Sequence, residues 1–316
     1  MKKPRIALVI GIFCISVFPI LVKLNLAPGV VSAFYRMLFS LLLLLPYVLI
    51  RRQLKIPNLK AGILAVVCGV IFGSDVAVWN IAIQGSTATQ ASLLTNLSPV
   101  WVGVLALFFL KNKPKTNFWI GTIIAVLGMM MLVGFSVFKN LDFDLAFSFG
   151  VLSGVLYAFY MLISKQVLRS MNILSFMTIT LTASSLYLGL VSYALNEPFT
   201  GFSNLGWSVL VIQAVVCQLL AWLLISYATK HMRATRVSVS LLGQGILSSL
   251  LAWFFIDETI TLQMVFGGIV LLIGIRVTFF EKQLISLSYF KKLLCNFKTR
   301  PTGKHLNVNV LRKRFN

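Results

Sequence analysis

The sequence predicts an all-α integral membrane protein, ten transmembrane helices arranged as two inverted five-helix repeats, and three observations carry that expectation. The 316 residues are 59% hydrophobic and only 11% charged, with a mean hydropathy of +0.93, a balance that a water-exposed surface does not tolerate. Ten apolar runs, each near the ~20 residues that cross a bilayer as a helix, follow one another with short polar turns between them. A pentapeptide also recurs at a fixed distance along the chain, and the recurrence persists into the run that follows it.

The runs lie at roughly 6–25, 29–50, 61–83, 88–110, 118–136, 147–164, 173–195, 207–228, 234–255 and 262–280. With the N-terminus in the cytoplasm, that side holds Lys2, Lys3 and Arg5, then Arg51, Arg52, Lys55 and Lys60, then Lys111, Lys113 and Lys115. Lys165, Arg169, Lys230, Arg233 and Arg236 complete the set, and the opposite side receives only Lys139. Cytoplasmic loops carry the excess of Lys and Arg, so both termini are expected in the cytoplasm. Asp142, Asp144, Glu197, Asp257 and Glu258 then lie outside. The start Met1-Lys2-Lys3-Pro4-Arg5 before an apolar run is also how a secretory leader begins. It lacks a small-residue cleavage site, so an uncleaved first span is expected. The organisation that follows is a cytoplasmic N-terminus at 1–5, a first repeat at 6–136, an outer linker at 137–146, a second repeat at 147–280 and a basic cytoplasmic tail at 281–316.

The repeat rests on Ala88-Thr89-Gln90-Ala91-Ser92, which returns as Ala234-Thr235-Arg236-Val237-Ser238 at an offset of 146 residues. At the same offset Phe108-Phe109-Leu110 matches Phe254-Phe255-Ile256, Gly121 matches Gly267 and Gly128 matches Gly274. An odd number of spans per half obliges the second copy to cross the membrane in the opposite sense. That is the inverted plan of many secondary transporters, in which two similar halves exchange conformations about a central site.

Composition also excludes classes. The net charge of +21 and isoelectric point near 10.3 suggest nucleic acid, but recognition requires basic residues on one folded face with stacking aromatics between them. Here they sit between apolar runs or in the tail, so no nucleic-acid partner is expected. Cys14, Cys68, Cys217 and Cys295 form no CxxC pair and the only histidines are His231 and His305, so neither a disulfide nor a metal site is expected. No phosphate-cradling GxxxxGK[ST] loop occurs, which argues against an ATP-driven pump, and no cofactor is expected.

Ala91-Ser92-Leu93-Leu94-Thr95-Asn96-Leu97-Ser98-Pro99-Val100, ending at Leu110-Lys111-Asn112-Lys113, resembles the fourth-span signature of the drug/metabolite transporter superfamily. The EamA-type branch of ten-helix permeases is further resembled at Asp75-Val76-Ala77-Val78-Trp79-Asn80-Ile81-Ala82, at Phe34-Tyr35-Arg36, and at the acidic turn Asp257-Glu258 after span nine. The likeness covers residues 6 to 280. It implies ten helices around a solute pathway and transport of a metabolite across a bacterial inner membrane. The chain departs from the family pattern at Asn112, where Glu is usual, and at Gln244-Gly245, where a proline is common.

Of seven acidic residues only Asp75 lies within a span. A carboxylate at mid-span costs about 2.5–3.5 kcal/mol on insertion scales, so it should face the protein interior. Arg36 falls at a similar depth in span two and is the expected partner of Asp75. The pair is either a structural ion pair or a coupling site at which Asp75 exchanges a proton. Pro99 is expected in mid-helix, with Thr95, Asn96 and Ser98 beside it and Gln244 at the matching place in span nine. Polar side chains and weakened backbone at one depth in both halves mark the expected solute site, although small polar residues also serve as interhelical hydrogen-bonding groups. Trp79, Tyr157, Tyr160 and Trp222 fall within spans and offer flat faces to a ring or a cation, or else serve as packing and interfacial anchors. Lys23 and Lys165 sit near span ends, where snorkelling accounts for them.

The tail alternates Leu284, Ile285, Leu287, Phe290, Leu293, Leu294 and Phe297 with Lys282, Lys291, Lys292 and Lys298, a pattern for lying on an anionic inner leaflet. A secondary transporter of a small metabolite, an amino acid, a nucleotide-like solute or a relative of these, is therefore the expectation, with no enzymatic activity. A lipid-modifying enzyme would need clustered acidic metal ligands, and Asp142-Phe143-Asp144 stands alone. A channel would show rings of repeated polar groups. The expected partners are a small-molecule substrate and membrane lipids, with the chain a monomer or homodimer.

Overall fold

A computed structural model describes residues 2–85, 96–110, 113–134, 145–257 and 259–280. The pentapeptide at 88–92, Thr95, Lys111, Asn112, Lys139, Asp142, Asp144, Glu258 and the tail 281–316 lie outside the described residues, as does the side chain of Lys23.

The described elements are all helical: α1 (Lys2–Ser16), α2 (Phe18–Lys23), α3 (Gly29–Ile50), α4 (Leu59–Gly85), α5 (Ser98–Phe109), α6 (Thr116–Val133), α7 (Leu145–Ser170), α8 (Ile173–Ala194), α9 (Asn204–Ile212), a π-wound segment (Gln213–Leu220), α10 (Ala221–His231), α11 (Ala234–Leu241), α12 (Gly243–Ile256) and α13 (Leu262–Thr278). Eight stretches are long and apolar enough to cross a membrane: α1 with α2, α3, α4, α6, α7, α8, α9 through α10, and α11 with α12. α5 and α13 are shorter apolar helices. Eight of the predicted runs overlap these long stretches, run 262–280 overlaps the shorter α13, and run 88–110 is described only from residue 96, where α5 covers its second half. The 12 residues of α5 rise only about 18 Å, short of a ~30 Å hydrocarbon layer, and the residues ahead of it lie partly outside the description.

Span six continues to Ser170 instead of stopping near 164. Span one breaks at Val17 because Pro19 stands in the first turn of α2 and interrupts the helical ladder. The freed Ser16 carbonyl accepts the Ser248 hydroxyl at 2.9 Å.

The repeat is written into local structure. Spans two and seven both end in a turn with one left-handed residue, Arg52 and Asn196. In each, the next amide reaches five residues back, Gln53 N–H to Val48 O and Glu197 N–H to Ser192 O, the helix-terminating geometry that satisfies orphan carbonyls. The following helices start on matched caps, Asn58 Oδ1 accepting from Ala61 N–H and Ser203 Oγ from Gly206 N–H. Exposure agrees as well: Phe108 and Phe109 are 79% and 65% exposed, Phe254 and Phe255 70% and 67%, as suits rings facing lipid.

The tertiary packing shows the inversion directly. α6 and α13 pack along a shared glycine seam in which Gly121 lies against the Gly274 carbonyl and Gly128 against the Gly267 carbonyl. One position rises as the other falls, so the two equivalent helices run antiparallel. The contacts are reciprocal, because Gly121 meets the repeat-mate of Gly128 and Gly128 meets the repeat-mate of Gly121. A two-fold axis relating the halves produces that pattern. The other contacts between halves obey the same exchange: α4 packs on α7 as α10 packs on α1, α4 on α8 as the π segment on α3, and α5 on α7 as α12 on α1.

The π segment has an origin in the repeat. The matched caps Asn58 and Ser203 are 145 apart, whereas the pentapeptides downstream are 146 apart, so the second half holds one residue more between cap and pentapeptide. A π turn absorbs a single inserted residue without unwinding the helix. The displaced carbonyl of Ala214 is taken up by the Ser40 hydroxyl at 2.8 Å.

Candidate functional site

Asp75, Arg36 and a group of aromatic side chains meet between α3, α4, α7 and the α9–α10 span. Asp75 is buried on α4 and its carboxylate accepts the Ser153 hydroxyl of α7 at 2.6 Å. Arg36 is buried on α3 with its guanidinium over the Phe18 ring of α2, 4.3 Å from the centroid, within the range of a cation–π contact. Asp75 and Arg36 are near enough to act on one another electrostatically, but the short contact of each is to Ser153 and to Phe18. Arg36 Nε has no hydrogen-bond partner, and neither has Oε1 of the buried Gln218 on the π segment. A buried polar atom left unpaired costs about 1–3 kcal/mol, so the free Arg36 Nε leaves a donor available to a ligand.

Toward the basic face from Asp75 stands a quartet of rings. Phe72 lies 4.8 Å from Tyr160 and 4.7 Å from Trp222, and Tyr160 lies 5.5 Å from Trp222. Tyr157 closes the group at 6.3 Å from Tyr160 and 6.4 Å from Trp222. Successive turns of α4 supply Phe72 and Asp75, and successive turns of α7 supply Ser153, Tyr157 and Tyr160, so helical spacing alone stacks the polar layer on the aromatic one.

Toward the opposite face a cavity of about 130 Å³ is lined by Phe18, Ser32, Asn80 and Gln213 among apolar neighbours. The Ser32 hydroxyl donates to Gln213 Oε1 at 2.9 Å. Asn80 donates to Val76 O at 2.8 Å and lays its amide oxygen 2.1 Å from where a Cβ on Gly29 would stand. A Cβ there would displace the Asn80 amide. Phe18 both lines this cavity and covers Arg36, so the ring stands between the cavity and the cluster of Arg36, Asp75 and the ring quartet.

Each face carries a hydrogen-bonded clasp between the halves. On the basic face Asn172 and Ser175 of span seven donate to Gln53 O at 2.9 Å each. On the other face Tyr35 of span two donates to Phe199 O at 2.8 Å, amid Phe34, Phe202 and Trp207 rings. Lys165 does not snorkel as expected: its Nζ donates to Thr229 O and Lys230 O at 2.7 and 2.8 Å, capping the carbonyl end of α10, while Lys230 Nζ donates to Met171 O at 2.9 Å. Lys165→Met is expected to lower the melting temperature in detergent by the equivalent of about 1–3 kcal/mol, since two charge-assisted bonds are lost, whereas Lys60→Met, on the exposed start of α4, should leave it unchanged.

Of the residues singled out in the sequence, Asp75, Arg36, Tyr157, Tyr160 and Trp222 come together here. Trp79 is half-buried beside Phe18, 6.3 Å between centroids. Pro99 is not in mid-helix. It occupies the first turn of α5, where a missing N–H costs nothing. Buried Ser98 and Pro99 and half-buried Asn96 lie at the start of α5, and half-buried Gln244 at the start of α12. The backbone is locally tightened at the matching place in span nine, Leu242 N–H reaching Val239 O and Gly245 N–H reaching Leu242 O. Among the described residues no hydrogen bond or ring contact joins these four to that cluster. Ser153, Phe18, Phe72, Asn80, Gln213 and Gln218 were missed. Gln213 and Gln218 are the only amides in run 207–228, a signal that was available; Ser153 is one of many serines in apolar helices and has none.

Comparison with known proteins gives one answer. The chain is similar to an uncharacterized transporter of Archaeoglobus fulgidus, 26% identical over 249 residues, 78% of this chain and 86% of that one. It is similar also to the uncharacterized transporter YdfC of Bacillus subtilis, 24% identical over 254 residues, 79% of this chain and 81% of that one. A protein solved by crystallography shares the fold with a TM-score of 0.75 at 15% identity, over 88% of this chain and 97% of that one. The EamA-like transporter family model matches twice, over residues 3–134 and 145–280, the two halves that the glycine seam and the paired turns relate to one another. This multi-pass membrane protein belongs to the EamA-like transporter family.

Proposed function

We propose that the chain is a secondary transporter that carries a small metabolite across a bacterial inner membrane by alternating access, driven by a proton gradient or by exchange, with both termini in the cytoplasm and no enzymatic role. The observation that carries this reading is the cluster of Asp75, Arg36 and the ring quartet, hereafter the chamber, buried between two halves that pack as two-fold mates. Two similar halves with a clasp at each face can exchange roles, one clasp opening as the other closes, which exposes the same chamber to each side in turn. The fifteen basic residues of one face against the single Lys139 of the other support the orientation.

The test is a profile of solutes inside and outside cells that overproduce the protein, compared with cells carrying an empty vector. A solute enriched in the medium supports export, and one enriched inside supports uptake. No difference across rich and minimal media counts against transport and turns attention to lipid chemistry.

A further inference from the structure

We infer that Arg36 receives the negatively charged group of a small monovalent organic anion, and that this anion moves together with one proton carried by Asp75, so that the chamber stays neutral. The inference rests on the transporter reading and gives it a substrate class. Three observations support it. Arg36 is 4% exposed, its Nε has no partner, and one face of its guanidinium is covered by Phe18. The open part of the group is therefore its edge, where planar N–H donors suit a carboxylate in the same plane. Asp75 is 6% exposed and held by Ser153. Beyond Asp75 the rings of Phe72, Tyr157, Tyr160 and Trp222 pack on one another, an aromatic floor on which an apolar, flat body can stack.

The charge balance decides the stoichiometry. With Asp75 ionised, chamber and protein side chains already cancel, and an entering anion would bring an uncompensated charge into low-dielectric surroundings. With Asp75 protonated, the positive charge of Arg36 stands alone and one anion restores neutrality. One proton and one monovalent anion thus cross with no net charge. The groups that face this pair are few. Arg36 on α3, Tyr157 on α7 and Tyr187 on α8 stand on the helices against α4. Cys217 on the π segment, with Cys14 of α1 behind it, stands by Arg36, and Cys68 of α4 and Tyr160 of α7 lie deeper.

The test uses the full-length protein purified in detergent, with its melting followed in benzoate, benzamide and benzylamine, which share a ring and differ in charge. Benzoate is expected to stabilise the protein, with apparent affinity falling about ten-fold per pH unit once Asp75 loses its proton, as linkage of one proton requires; benzamide and benzylamine are expected to do nothing. Asp75→Asn should bind benzoate with no pH dependence, and Arg36→Gln should not bind it. If Arg36→Gln does not fold, the comparison of Asp75→Asn with wild type decides alone. The inference is overturned if benzamide matches benzoate, if benzoate binding is flat with pH in the wild type, or if benzoate, phenylacetate and acetate all fail to stabilise. None of these binding results touches the transporter reading, which stands or falls on the solute profile in cells; a neutral or cationic solute moved there would overturn the anion site and leave transport intact.

Discussion

Gly267→Ala is expected to destabilise the protein severely while Gly268→Ala, one residue on, is tolerated. A Cβ on Gly267 would lie 2.4 Å from Leu132 N and 2.9 Å from Gly128 O, both backbone atoms that cannot swing aside. The helices would have to separate along the whole seam, and overpacking of that kind costs about 1–3 kcal/mol or more. At Gly268 a Cβ would meet only the Ile246 side chain, at 3.7 Å, and the gain in helix propensity of Ala over Gly, up to about 1 kcal/mol, goes the other way. Without water to drive apolar helices together in lipid, close backbone approach is what holds them, so the loss at Gly267 is not recovered elsewhere. Melting temperatures in detergent check this. Equal effects at the two positions would mean that α6 and α13 do not meet along the glycine seam. Because the seam is reciprocal, Gly128→Ala, whose Cβ would meet Leu271 N at 2.3 Å, should behave as Gly267→Ala does.

Asp75→Asn should remove the dependence of flux on a pH gradient. The substitution keeps shape and an oxygen for the Ser153 hydroxyl, now 2.6 Å from the carboxylate, and removes the only acidic group that the sequence places inside a span. Reconstituted vesicles with an imposed pH difference provide the measurement, once the cell profile has identified a solute. Flux in the variant that still tracks the gradient would exclude Asp75 as the coupling group. Ser153→Ala serves as the companion: it removes one hydrogen bond but leaves the carboxylate, so coupling should persist with its pH dependence displaced.

The family was legible because its marks are local. The Asp75-to-Ala82 stretch and the run from Ala91 to Val100 are contiguous words, and the 146-residue offset needs only the chain compared with itself. Span positions were legible for the same reason, since membrane insertion reads hydrophobicity over ~20 residues at a time. The chamber was half legible. Charges and rings inside apolar runs announce themselves, which exposed Asp75, Arg36, Tyr157, Tyr160 and Trp222, but Ser153 and Phe18 differ in nothing from the other serines and phenylalanines of their helices until packing brings them to Asp75 and Arg36.

Sequence by itself determined that the chain crosses a membrane repeatedly, that its halves are copies in opposite orientation, and which family it resembles, because each follows from composition or from order along one dimension. Tertiary structure alone decided that Pro99 begins a helix, that Lys165 caps a neighbour, that span eight carries a π-wound segment against α3, and that Gly121 and Gly128 meet the repeat-mates of one another. Those depend on which helix faces which across the bilayer, and helix rotation is set by backbone contacts between residues more than a hundred positions apart, to which no local pattern responds.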